Sequence, residues 1–495
     1  MKRFLCVGAV LFLCVAWAGC GDVFRPIIIP NPPQFPNPAA ANSVITINDN
    51  GTVDAGSIMV IDVAGDSDEG NRNVGLNPIY AVQQTASQIL VVNQSNTTLP
   101  QDSVSKVNFN GTAPQGEPIP TITLPLSYDG SGSLVSAAPN FVATTESSQA
   151  YVLMPLYQPP GPNNIGGTVV PSVAVINTNA DSVVTTLPVG NNPVAMAETP
   201  DGTKLYVANA GNGTTGSLSA FNTKDHSART ITAPPNAQCM EPPCAAPVWL
   251  SARNDSQQVY VLESDGTLGY LDTVLSTGDT FTEISKSILS IPPAVPYSSA
   301  NMWYDTILDR LYIPGGNQVA IVNVSGTTPT PFSESPITIP VVSPSQRLRS
   351  DPCSRTSTGA ITTVAVTSLP DGSRAYVGAY YADGAGNICP QVTVITTSNN
   401  TIETSLPIPG YPDATIPGTY YVPVCANTRF RITMAAGGDS SRVYLASCDG
   451  GSVNIIYTST DSYIESTGAP ASDRALIPPS TVPPPQNPVF MLAGP

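Results

Sequence analysis

The feature that most restricts the fold is residues 171–212, PSVAVINTNADSVVTTLPVGNNPVAMAETPDGTKLYVANAGN. Four short apolar runs lie in it, each bounded by turn chemistry. Residues 172–176 alternate with period two and stop at Asn177-Thr178-Asn179-Ala180-Asp181. Residues 183–187 are rich in β-branched side chains and stop at Gly190-Asn191-Asn192-Pro193. Residues 194–199 lead into Pro200-Asp201-Gly202, where proline presets φ, aspartate caps its own backbone and glycine accepts positive φ. Residues 205–208 form the fourth run.

Four strands in about 40 residues are the signature of one blade of a β-propeller. The wording resembles the YVTN repeat family, through VAVINT, VVTTLPVGNNP, VAMAETPDG and LYVAN. The resemblance is specific within this stretch and looser elsewhere, and it implies an architecture without naming an activity. In that family the segment after the Asn-Pro turn is the innermost strand of a blade and the "YV" segment is the second.

The second-strand marker recurs at residues 89–93, then around Tyr151, Tyr206, Tyr260, Tyr312, Tyr376 and Tyr444. From Tyr151 onward the spacings are 55, 54, 52, 64 and 68 residues, a repeat period with loop insertions. Innermost candidates are residues 78–83, 140–145, 194–199, 248–253, 300–304, 362–367 and 429–435, with an eighth at 488–492 where the chain ends. Residues 44–48, 58–63 and the stretch near Asn73-Val74 read as the second, third and fourth strands that complete this last blade. The fold class expected is therefore all-β, a single propeller of four-stranded blades closed by one C-terminal strand plus N-terminal strands. Closure of this kind removes exposed sheet edges. The count is eight blades, with seven as the alternative because the family more often has seven.

Composition agrees with a large closed sheet system. The 495 residues include 39 Gly and 51 Pro, which could mean disorder, but 41% hydrophobic residues argue against that. Only 19 basic residues in a chain of net charge −16 exclude an electrostatic footprint for nucleic acid. Beyond the first twenty residues no segment approaches the length of a membrane-spanning helix.

Met1-Lys2-Arg3 and the apolar residues 4–16 read as a signal peptide, residues 1–19. Trp17-Ala18-Gly19-Cys20 resembles a bacterial lipobox, which makes Cys20 the expected lipidated residue. Trp17 departs from the usual aliphatic residue, and Ala16-Trp17-Ala18 offers the competing reading of ordinary cleavage and a free protein. Residues 20–41 then carry Pro26, Pro30, Pro32, Pro33, Pro36 and Pro38. This is a polyproline II tether of roughly 60 Å at about 3.1 Å per residue. The propeller occupies residues 42–495. The protein is expected to be exported, in a bacterial cell envelope and attached to the membrane by its lipid, or else secreted or periplasmic.

The blade alignment places short hairpins on one face and long loops on the other, at 157–170, 233–246, 341–359, 379–390, 409–427 and 468–487. Long loops on a rigid scaffold are where binding resides. Six of the nine cysteines lie beyond the signal region. Spacing alone permits fifteen pairings. The repeat alignment implies Cys239–Cys244, Cys353–Cys389 and Cys425–Cys448, all on the long-loop face of an exported chain.

Candidate chemistry is sparse. Arg347, Arg349 and Arg355 form a basic cluster in a long loop, and Arg429 and Arg431 alternate along an expected innermost strand. They either pair with local carboxylates and carbonyls or clamp an anionic ligand near the axis. Tyr380, Tyr381, Tyr420 and Tyr421 are placed on the same face, either as an aromatic rim for a glycan or protein or as filler between blades. His226, the single histidine, reads as a turn residue between outer strands, so no metal site is expected from Cys or His spacing. Asp66, Asp68 and Glu69 offer oxygen ligands for calcium, although the run departs from the EF-hand loop, and a solvated acidic turn is the competing reading. No other cofactor is expected. The function expected is non-enzymatic recognition of an envelope protein or glycan by the long-loop face. Because propellers related to this repeat family include lactonases, the alternative is a lactonase-like hydrolase at the mouth of the central channel. A third reading is a purely architectural surface protein.

Overall fold

The computed structural model describes residues 43–494 except 51–53, 96–99, 111–112, 116–118, 146–147, 162–166, 233–242, 244, 275–277, 286–287, 290–300, 347–352, 354–358, 409, 411–428 and 464–486. The chain is an eight-bladed β-propeller with blades of nominally four antiparallel strands. Its innermost strands, in chain order, are Pro78–Thr85, Phe141–Ala143, Pro193–Glu198, Pro247–Ala252, Trp303–Asp305, Thr362–Ser368, Ile432–Ala436 and Asn487–Ala493. Blades 2 to 8 below are numbered from the first seven of these. Blade 1 is built on the last.

Blade 1 closes the ring as the sequence led us to expect. Asn487–Ala493 pairs antiparallel with Ser43–Asp49, with Ile47 opposite Phe490 and Ile45 opposite Leu492. Ala55–Asp62 and Ser67–Leu76 follow outward. Val44, Ile45, Ile47, Ile58 and Val60 are fully buried, so joining the chain ends is also a packing event.

The second strands explain how the blades adhere. They begin QAYV, KLYV, QVYV, RLYI, RAYV and RVYL in blades 3 to 8. Their tyrosines, Tyr151, Tyr206, Tyr260, Tyr312, Tyr376 and Tyr444, are at most 1% exposed. Period two puts the first residue of each motif on the same side as the tyrosine, where it reaches the following blade. Gln258 donates to the Thr327 carbonyl at 2.6 Å, Arg310 to Thr397 at 2.6 Å and Arg374 to Thr458 at 2.9 Å. Lys204 donates likewise to Thr273, and Gln149 to Thr223 at 3.5 Å. At the last seam Arg442 Nε donates to Asp66 of blade 1 at 3.1 Å. In five of the six blades a long donor ahead of a buried tyrosine thus satisfies a carbonyl beyond the neighbouring third strand, and in the sixth it meets a carboxylate.

The turn after that third strand carries a residue with positive φ in five blades: Asp66, Asp181, His226, Asn400 and Asp461, with φ between 42° and 57°. Asp and Asn tolerate this region best because their short side chains bond locally.

Three details differ from the sequence reading. Residues 379–390 are not a loop: Arg374–Ala382 and Ile388–Thr396 extend the hairpin, pairing Tyr381 with Cys389. Tyr380 and Tyr381 continue the alternation, and the turn closes on Asp383, which accepts from the Ala385 and Asn387 amides at 2.8 Å. Arg429 and Arg431 precede the innermost strand of blade 8, whose ladder starts at Ile432 opposite Ser447. Among the described residues blade 4 has three strands, because Ile231–Thr232 instead adds in parallel to the outer strand of blade 5. The buried Arg229–Asp279 ion pair, 2.7 Å, holds that segment across the seam.

Candidate functional site

The innermost strands run in one direction, so their N-terminal ends meet at the long-loop face and their C-terminal ends at the hairpin face. At the first end the axis is closed by aromatic side chains. Tyr80 stacks on Phe141 with centroids 4.4 Å apart and lies 4.5 Å from Phe490. Trp249 meets Phe141 edge-on at 5.6 Å, and Phe430 lies 5.8 Å from Phe490 and 6.1 Å from Trp249.

Arg429 fills the centre of this plug. Its Cζ stands 4.9 Å from the Phe141 centroid, 5.3 Å from Trp249, 5.4 Å from Phe430 and 5.9 Å from Tyr80. Nη2 donates to the Val194 carbonyl at 2.6 Å and Nη1 to the Asn140 carbonyl at 3.4 Å. Among the described residues it has no carboxylate partner. Burial pulls its pKa down to about 10 and pushes the Tyr80 phenol up to about 12. Ring faces offset part of the desolvation of the cation, at about 0.5–2 kcal/mol each. Arg429 reaches across the axis from just ahead of the ladder, while the Arg431 carbonyl still accepts from the Cys448 amide at 3.1 Å.

Below the plug the axis is open. A cavity of about 390 Å³ has Tyr80, Phe141, Trp249 and Phe490 as its floor, while Pro200, Asn254, Ile307 and Pro370 belong to its rim at the hairpin face. Its ionisable side chains are two tyrosines, Tyr80 and Tyr304, and two carboxylates, Glu198 and Asp305, with no Lys, Arg or His in the lining. Glu198 is 6% exposed and Asp305 2%. Asp305 Oδ1 accepts from the Ile307 and Leu308 amides at 2.9 and 3.0 Å, which fixes the carboxylate. Oδ2 is buried without a hydrogen-bond partner. The Trp303 indole donates to Ser368 Oγ at 2.9 Å, fixing that ring in the wall.

Of the residues singled out from sequence, the structure brings Arg431 and Tyr380 together. Arg431 Nε pairs with Asp449 at 2.6 Å and its guanidinium lies 5.3 Å from the Tyr380 ring. Tyr381 is fully buried against the Cys353–Cys389 disulfide, whose Cα atoms are 5.7 Å apart. Cys448 is disulfide-bonded too, with its partner outside the described residues. Arg347, Arg349, Arg355, Tyr420, Tyr421, Cys20, Cys239, Cys244 and Cys425 lie outside them as well.

Asp66 is turned to blade 8, accepting from Tyr444 Oη at 2.7 Å as well as from Arg442, whereas Asp68 caps its own turn through the Gly70 amide at 2.8 Å. His226 lies in its turn with Nε2 3.1 Å from Gln149 Nε2 across the seam between blades 3 and 4. The plug aromatics and the two well carboxylates were missed. The available signal was an aromatic residue within the first few positions of three innermost segments, Pro78-Ile79-Tyr80, Asn140-Phe141 and Pro247-Val248-Trp249.

No family model and no curated relative matches the sequence. Among solved structures, AztD from Citrobacter koseri is similar, with a TM-score of 0.50 at 9% identity over 91% of this chain and 97% of that one. A putative 6-phosphogluconolactonase from Bacteroides fragilis gives a TM-score of 0.42 at 10% identity, over 91% and 97%. A hypothetical selenium-binding protein from Sulfolobus tokodaii gives 0.45 at 9% identity, over 77% and 95%. The likeness is one of fold.

Proposed function

We propose that the protein is a non-enzymatic recognition module of the bacterial cell envelope, a YVTN-type propeller anchored through Cys20 and reaching its partner, a protein or glycan, with the long-loop face. The observation that carries this reading is the plug. Arg429 and five aromatic rings seal the axis at that face, so it offers a closed platform rather than an entrance. The described ionisable side chains near it are engaged in structure: Arg431 with Asp449, Asp383 with its own turn, Glu263 with the Ala245 amide at 2.6 Å. The disulfide at residues 353 and 389 ties Cys353, which lies in sequence between Arg349 and Arg355, to the hairpin of blade 7.

Full-length protein immobilised on lipid vesicles should capture envelope protein or glycan fragments, and alanine at Arg347, Arg349 and Arg355 together should reduce that capture about tenfold. Unchanged capture by the triple variant removes the basic loop from the reading. The mass of the mature N-terminus tests the anchor: diacylated Cys20 is expected, and an unmodified Gly19 start removes it.

A further inference from the structure

We propose that the axial well binds a small uncharged molecule with an apolar, ring-sized body, entering from the hairpin face. This site lies at the opposite end of the axis from the recognition platform and stands independently of it. At about 390 Å³ the well falls within the range of roughly 300–1,000 Å³ of small-molecule sites.

Its wall supplies apolar contact that adapts to shape. Met196, Met302, Met434 and Met491 line it, four of the eight methionines in the chain, and unbranched thioether side chains mould to irregular bodies. Trp249 and Trp303 present ring surface to the same space. At the mouth Ile307 is 53% exposed, a large apolar side chain left in water beside the opening. A body seated in the well covers apolar surface and releases the water held against it.

The absence of charge on the ligand follows from the polar groups of the wall. Several of these are bonded within the fold: Trp303 Nε1 donates to Ser368 Oγ at 2.9 Å, Tyr304 Oη to Asp309 at 2.8 Å and Thr144 Oγ1 to the Gln149 carbonyl at 2.7 Å. The lining has no Lys, Arg or His to meet an anion. Nor does it offer a cation a carboxylate. Asp305 accepts from the Ile307 and Leu308 amides through Oδ1, buries Oδ2 beneath its neighbours and stands opposite Arg310 in the strand ladder. Glu198 is only 6% exposed. A charged end would give up its hydration without finding a counter-charge, whereas an uncharged body loses little.

The test titrates full-length protein, isotopically labelled at its methionine methyl groups, with three probes that share one ring: phenylethanol, phenylethylammonium and phenylacetate. Methyl resonances localise the binding, because Met59 and Met154 are buried outside the well and serve as internal references. Phenylethanol should give saturable ring-current shifts at Met196, Met302, Met434 and Met491 and leave Met59 and Met154 in place. Its binding should be about tenfold tighter than that of either charged probe. Ile307→Glu puts a charge at the exposed rim and should weaken phenylethanol about threefold or more. The proposal is overturned by equal binding of the three probes, by tighter binding of either charged one, or by no saturable shift at the four methyls up to about 10 mM phenylethanol. Thermal melts monitor the variant, and should it fail to fold, the discrimination among the three probes by the native chain decides alone.

Discussion

The Tyr376 hydroxyl of blade 7 donates a 2.6 Å hydrogen bond to Asp461 of blade 8, and Arg374 Nε lies 3.2 Å from the same carboxylate. The pattern repeats at the closing seam, where Tyr444 and Arg442 share Asp66. A tyrosine that looks like core filler in the sequence therefore carries a polar tip that joins adjacent sheets. Replacing Tyr376 by Phe should cost about 1.5–3 kcal/mol, because the lost bond is to a charged acceptor. Arg374 still faces Asp461, so the ring should stay folded; chemical denaturation checks both.

Arg429 should be the residue on which the sealed end depends. Arg429→Ala removes the guanidinium from among the aromatic rings and the bond to Val194, at about 2–4 kcal/mol. Water should then reach Trp249 from the long-loop face, shifting tryptophan emission to the red and raising its quenching by acrylamide. Unaltered emission and quenching would mean that the plug is not what closes the axis.

The disulfide between Cys353 and Cys389 spans a sequence separation of 36 residues. Chain entropy gives such a bridge about 4 kcal/mol, of which engineered cases usually deliver less. The double replacement Cys353→Ala, Cys389→Ala should lower stability by about 2–4 kcal/mol. Faster proteolysis should appear near residues 379–390 first, which mass mapping of early fragments reads.

Glu263 gives the fold a pH dependence of known sign. It is fully buried at the end of the second strand of blade 5, and burial pushes its pKa up to about 8, with Glu283 and Asp265 adding to the rise. The unfolded chain ionises this group near 4.5. Between the two values the folded state holds a proton that the unfolded state has lost, so stability falls as pH rises through this window. Glu263→Gln should be nearly neutral at pH about 4 and stabilising at pH about 8. Comparing melts of the two proteins isolates Glu263 from Asp102 and Asp461, whose raised values act in the same direction.

The strands were legible because their determinants are local. Period-two alternation, Pro-Asp-Gly and Asn-Pro turns and the Tyr-Val marker each act within a few residues, and together they located all eight innermost segments. Even the closure by residues 488–492 followed, since a lone innermost segment at one end and three unpaired ones at the other have one economical solution. What escaped depends on the ring. Residues 80, 141 and 249 share a place near the start of an innermost segment, but that local pattern does not announce a common centre with residues 430 and 490; only the circular arrangement carries all five to the axis. Arg429 read as a strand residue because alternation with Arg431 is the local signal, while its pull across the axis is not. Tyr380-Tyr381 read as loop because the cysteine that their hairpin covers is far away in sequence. The carboxylates Glu198 and Asp305 carry no local mark in the sequence, and the cavity they line exists only where several blades meet.

Native-state hydrogen exchange with residue-level mass resolution tests the closed ring most directly. Amides of residues 43–49 and 487–493 should be protected together and exchange with the slowest, global class, as strands paired Ile45 to Leu492 and Ile47 to Phe490 require. Exchange of residues 487–493 within seconds, while the innermost strands of the other blades stay protected, would contradict the closed ring and the placement of faces, plug and well built on it.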